Sequence, residues 1–152
     1  MRCVCHILNL VVHDDLKLII PQISKIREAI NYITSSNSRQ QKFGKICKNF
    51  GLKNRKFLDD IPNRWNSTYL MIKSCLNYSN AITVYINSKQ TQFHVEDSDW
   101  ETAFKVMKFL KPFYKVTKVC SDVYYPTSCL VLTLLVDIGK QFSSYKYDAF
   151  FY

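Results

Sequence analysis

Glycine and proline are scarce in this chain, three and four of 152 residues. So few turn residues exclude a β-sandwich or barrel of many short strands, and they exclude a glycine-rich loop wrapped around phosphates. Apolar runs are short as well: the longest, Cys129 to Val136, is interrupted by Thr133 and falls far below the roughly 20 residues needed to cross a bilayer. No membrane partner is therefore expected. Met1 to Leu10 has no small-residue cleavage site of the secretory kind. The six cysteines (Cys3, Cys5, Cys47, Cys75, Cys120, Cys129) are too sparse for a disulfide scaffold and point to a reducing compartment. Neither an internal repeat nor a low-complexity tract occurs.

What is present is apolar and basic. Ten Phe, ten Tyr and two Trp within a 47% hydrophobic composition exclude disorder, because the chain has ample apolar surface to offset the entropy of ordering. The length suits one domain or a piece of one. Lys and Arg number 21 against 12 acids, a net charge of +9. The excess is placed, not spread: Arg39, Lys42, Lys45, Lys48, Lys53, Arg55 and Lys56 fall between Ser38 and Lys56 with no acid among them. Such a segment attracts phosphates by counterion release without reading sequence, so nucleic acid is the leading partner on charge. Farther on, four acids (Glu96, Asp97, Asp99, Glu101) precede Lys105, Lys108, Lys111, Lys115 and Lys118. The last four of these lysines share an arc of roughly 80° on a helix. That stripe reads as a solvated face whose acids and lysines complement the helix dipole.

Periodicity predicts an essentially all-helical chain. Ile7 to Ile20 forms a mostly buried helix, and Pro21 begins or kinks the next. Ile23, Ile26, Ile30 and Ile33 give an amphipathic stripe that ends in a polar loop, Thr34 to Ser38. Phe43, Ile46, Cys47 and Phe50 mark a short basic helix closed by Gly51 in the manner of a C′ glycine. Lys53 to Asn63 is irregular. Trp65, Tyr69, Ile72, Leu76, Ile82, Val84 and Ile86 mark one or two helices, and Asn87 to His94 is a linker. Ser98 with Glu101 suggests a capping box for a long helix to about Cys120, kinked at Pro112. An extended element at Tyr125 and Pro126 and a final helix from Cys129 to about Ser144 complete the chain.

Candidate chemistry is sparse. Cys3 and His6 make a Cys-x-x-His, but a structural zinc site needs a second ligand pair, and Cys5, His13 and His94 do not supply one. Three histidines without a nucleophile elbow give no hydrolase signal. The adjacent acids Asp14/Asp15 and Asp59/Asp60 point about 100° apart on a helix and make poor metal clamps. The run Ile61-Pro62-Asn63-Arg64-Trp65-Asn66-Ser67-Thr68-Tyr69 is more pointed. Arg64 can neutralise a phosphate, and Trp65 is either a core anchor or a platform for an unpaired base.

Four ordered motifs, RCVCHILNLVV, DIPNRWNSTYLMI, DWETAFKVMKFLKPFYKVT and YYPTS, resemble the hAT superfamily of DNA transposases, specifically the plant Activator-like and RICESLEEPER-type proteins. The resemblance covers about residues 2 to 129. It implies a mainly α fold: the helical insertion of an RNase H-like transposase core without the catalytic strands, with junction helices at residues 1–37 and the partial insertion at 38–152. It also implies that Cys3 and His6 sit beside the active site, and that Arg64, Trp65 and Asn66 handle the DNA end. In that family two Asp and one Glu hold magnesium or manganese for strand cleavage. Both Asp residues precede the R-C-x-x-H motif, where only Met1 stands here, and the Glu follows the insertion, so no acid of this chain is carried over. Cys129 replaces the family Asn after Tyr-Pro-Thr-Ser. The expectation is a nuclear, transposase-derived DNA-binding fragment that is not an enzyme, holds no cofactor and binds DNA, with a second copy or a full-length transposase as further partners. The alternative is a non-functional pseudogene product, or a protein-interaction module from a domesticated transposase.

Overall fold

The computed structural model describes residues 20–61, 64–89, 92–122, 133 and 136–140. Cys3, His6, all but the last residue of the helix expected over residues 7–20 and the extended element at Tyr125 and Pro126 lie outside these, as does most of the expected last helix. Among the described residues the main elements are the α-helices α1 (Ser24–Thr34), α2 (Asn37–Asn49), α3 (Trp65–Cys75), α4 (Ser79–Asn87) and α5 (Asp97–Asp122). No strand occurs among the described residues.

Pro21 opens a 3₁₀ turn, Ile20–Ile23, and Ser24 Oγ donates to the Pro21 carbonyl at 2.7 Å as the chain enters α1. Pro has no N–H to lose at such a start. α1 buries Ile26, Ala29, Ile30 and Ile33, one face at the helical repeat. The polar loop expected over Thr34 to Ser38 is shorter than the sequence suggests: only Ser35 and Ser36 separate α1 from α2. The corner is closed by α2 itself. Gln40 Nε2 donates to the Thr34 carbonyl at 2.8 Å and Arg39 Nη1 to Ser35 Oγ at 2.8 Å, so groups left over by one helix are satisfied from the other.

α2 ends as expected. Gly51 takes φ +68°, its N–H reaches the Lys48 carbonyl at 3.0 Å, and the Leu52 N–H reaches the Cys47 carbonyl at 2.8 Å, the paired bonds of a Schellman ending. Phe50, which continues the apolar spacing in sequence, is 44% exposed instead, because the helix stops before it can turn inward. The irregular stretch that follows is held by Phe57, whose ring lies 5.5 Å from Phe43 and 5.4 Å from Tyr78, while Tyr78 Oη donates to the Lys53 carbonyl.

α3 runs through a 3₁₀ turn, Leu76–Tyr78, into α4. The linker after α4 is clamped by Asn87, whose side-chain amide pairs with both the N–H and the carbonyl of Val95. The cap of α5 lies two residues before the expected Ser98: the Glu96 N–H donates to Asp99 Oδ2 at 2.9 Å, so Glu96 stands at the cap and Asp99, not Glu101, closes the box. α5 continues through Pro112 to Asp122. It packs along α3, with Tyr69 stacked on Tyr114 at 4.6 Å, and its Trp100 Nε1 donates to Thr83 on α4. Residues 136–140 are helical, with Ile138 buried.

Candidate nucleic-acid interface

The Arg-Trp-Asn-Ser-Thr run forms the head of α3. Arg64 occupies the cap position in an extended conformation and is exposed, whereas Trp65 begins the helix and is only 4% exposed. The indole packs edge-on against Phe113 of α5 at 6.2 Å. Trp65 is thus the core anchor of its two readings, and stacking on a base would require the ring to leave the core. Asn66 is half-buried, and its Oδ1 is buried with no hydrogen-bond partner. Such a group costs about 1–3 kcal/mol unless something else satisfies it.

Below this head lies a feature that residue spacing does not reveal. The Asp60 side chain is 1% exposed, and its Oδ2 receives both Nε and Nη2 of Arg27, each at 2.6 Å. Its Oδ1 accepts from Ser67 Oγ at 2.8 Å and Thr68 Oγ1 at 2.9 Å, and the Ser67 hydroxyl also accepts the Ile61 N–H at 2.9 Å. The carboxylate therefore ties α1, the irregular stretch and the first turn of α3 into one unit, with its negative charge at the positive end of α3. The sole local signal is an acid just ahead of a helix with hydroxyls in its first turn; Arg27 is 33 residues away. These carboxylates do not fit a divalent ion: Asp60 is spent on Arg27, Ser67 and Thr68, and Asp59 is exposed. Among the described residues no three His, Cys, Asp or Glu side chains converge.

The basic segment divides. Arg39 is anchored, its guanidinium 3.9 Å over the Tyr32 ring and bonded to Ser35. Lys42, Lys45 and Lys48 stand exposed on the outward side of α2, opposite buried Phe43, Gly44 and Cys47. Lys53, Arg55 and Lys56 are exposed on the stretch that follows. These six bases form no ion pair among the described residues. Arg55 and Lys56 meet α2 at a cavity of about 360 Å³, lined also by Asn37, Gln40 and Asn54 over Phe57. Arg64, read from the sequence as a separate candidate, stands apart from these bases at the cap of α3. Both described thiols, Cys47 and Cys75, are buried, and burial pushes Cys75 up to about 12 and raises Cys47 as well, which disfavours their thiolate forms. No described helix is long and apolar enough to cross a membrane.

Comparison with known proteins fits this architecture. The family described as ZBED1 RNase-like helical domain matches residues 1–109. The chain is 33% identical over 134 residues to the putative AC transposase of Zea mays, covering 86% of this chain and 17% of that protein. It is likewise 33% identical over 132 residues to zinc finger BED domain-containing protein RICESLEEPER 2 of Oryza sativa subsp. japonica, 86% of this chain and 18% of that protein. With human zinc finger BED domain-containing protein 4 it shares 20% over 124 residues, 80% of this chain and 11% of that protein. The chain thus spans less than a fifth of the length of these relatives. No solved structure matches.

Proposed function

The chain belongs to the ZBED1 RNase-like helical domain family and is of transposase origin, and from that premise we propose that it is a DNA-binding module of the nucleus that grips the duplex backbone and does no cutting itself. The observation that carries this reading is the set of six exposed, acid-free bases on α2 and the stretch after it. Unpaired cations held on a rigid helix and a pinned loop suit phosphates, which bind by releasing counterions and do not need base recognition. Arg64 adds a seventh cation at the head of α3, and the Asp60 unit fixes the backbone from which it projects. Trp65 serves here as the anchor that positions Arg64. Cleavage with magnesium or manganese belongs, in this reading, to acids that the 152 residues do not provide.

The test is fluorescence anisotropy with a 30-base-pair duplex across a salt series, comparing the chain with K42Q/K45Q/K48Q and with R64A. Each lost phosphate contact lowers the slope of log affinity against log salt by about 0.9. The triple variant is expected to lower it by about 2 to 3, and R64A by about 1. An unchanged slope in both variants would overturn the reading.

A further inference from the structure

We propose that the exposed lysine row of α5 (Lys108, Lys111, Lys115 and Lys118) is a second DNA-backbone contact, on a different face from the α2 bases. The inference rests on the duplex-binding reading above but on different residues. α5 buries Ala103, Val106, Phe109, Leu110, Phe113 and Val116. At 100° per residue the centre of that arc and the centre of the lysine arc lie about 170° apart, so the lysines occupy the side turned away from the core. All four are exposed. α1 packs against both α2 and α5, and the two sets of bases stand on different helices, each on the side away from its own buried residues.

The ordinary explanations of a charged helix face do not account for this row. From Thr102 to Ser121 the helix carries no acid, so no carboxylate sits three or four residues from Lys108, Lys111 or Lys115. None of the four makes an ion pair among the described residues. The last turn of α5 carries no base, so these lysines are not placed to complement the helix dipole. Their charged neighbours at three and four residues are mostly each other, Lys108 with Lys111, Lys111 with Lys115 and Lys115 with Lys118, with Lys105 ahead of the row and a single acid, Asp122, four residues past Lys118. Like charges at those spacings repel and weaken a helix. A polyanion laid along the row reverses that cost, and the row's length of about 15 Å is crossed by several phosphates of a duplex that carries one charge per roughly 1.7 Å. Phe104, 44% exposed and 4.6 Å from Lys108 Nζ, lies within the same arc and extends the surface with an apolar ring. The partner that fits is a continuous, sequence-independent line of phosphates.

The experiment uses the full 152-residue chain and the same 30-base-pair duplex. K108Q/K111Q/K115Q/K118Q is expected to weaken binding at 50 mM salt by at least about tenfold and to lower the salt slope by about 3 to 4, and the corresponding quadruple Arg variant is expected to keep both. The pairs K108Q/K111Q and K115Q/K118Q, which disturb folding less, are each expected to lower the slope by about 2. An unchanged slope in the quadruple and both paired Gln variants overturns this proposal while leaving the α2 reading intact. A loss confined to the α5 variants supports it and sinks the α2 reading. Binding that none of the α2, Arg64 or α5 variants alters defeats both.

Discussion

Asp60 offers the sharpest test of how the head of α3 is held. Its carboxylate has almost no contact with water and receives two nitrogens of one guanidinium and two hydroxyls. Removing one member of a buried ion pair costs about 3–5 kcal/mol, because the other is left charged and unpaired. Arg27 keeps 23% of its side chain exposed, so water can reach it, and the expectation for Asp60→Ala lies at the low end, about 3 kcal/mol. For a chain of this size that corresponds to a fall in Tm of about 6–12 °C. Asp60→Asn keeps the shape and a neutral acceptor and loses the charge assistance, for a cost of about 1.5 kcal/mol. Urea denaturation followed by far-UV circular dichroism measures each, and a double-mutant cycle with Arg27→Met isolates the pair, since Met retains the packing of the arginine stem. A coupling of about 1.5–2 kcal/mol is expected. A value below about 0.5 kcal/mol would refute the claim that this ion pair holds the three segments together.

Trp65→Ala should cost about 3–5 kcal/mol in urea melts, as for a large aromatic removed from a core. In a Trp100→Phe background, Trp65 emission should stay unchanged on adding duplex; quenching would show that the ring leaves the core to stack. Gly51→Ala should cost about 1 kcal/mol purely through the left-handed backbone, since a methyl there meets nothing within 4 Å. Native Cys75 should resist iodoacetamide at pH 8 and react fully in urea, read by peptide mass mapping. Its raised folded-state value gives a definite pH sign: the contribution is complete below the unfolded value of 9.0 and is lost as pH climbs toward about 12. Cys75→Ala should accordingly flatten part of the alkaline fall in stability.

Much of the fold was legible because its determinants are local. The isoleucine stripe of α1 needs only a 3.6-residue period, and Gly51 needs only the backbone angle that one residue supplies. The two-residue shift in the start of α5 came from Asp99 outcompeting Glu101 for the cap, a choice reinforced by Lys25 at 3.3 Å from a distant helix. The site was less legible. Seven bases in one stretch read as one cluster, but Arg39 is committed to Tyr32 and Ser35, and only packing against α1 decides that. Trp65 lies on the same helical repeat as Tyr69 and Ile72, which favours burial, yet the repeat alone does not tell an anchor from a platform at a helix start. Asp60 gave no hint of its partner, because Arg27 reaches it only once α1 and the irregular stretch ahead of α3 are brought together.

The stretch from Leu52 to Ile61 has no regular backbone pairing, is exposed at most of its positions, and carries three sites for a trypsin-like protease at Lys53, Arg55 and Lys56. Its ends are nevertheless secured by side chains: Phe57 between two rings, Asp60 on Arg27, the Lys53 carbonyl on Tyr78. Covalent continuity across Arg55 therefore contributes little to the packing of α1 and α2 against α3, α4 and α5. A single nick at this point is therefore expected to leave two polypeptides that elute together on size-exclusion chromatography; their separation would show that chain continuity here is needed.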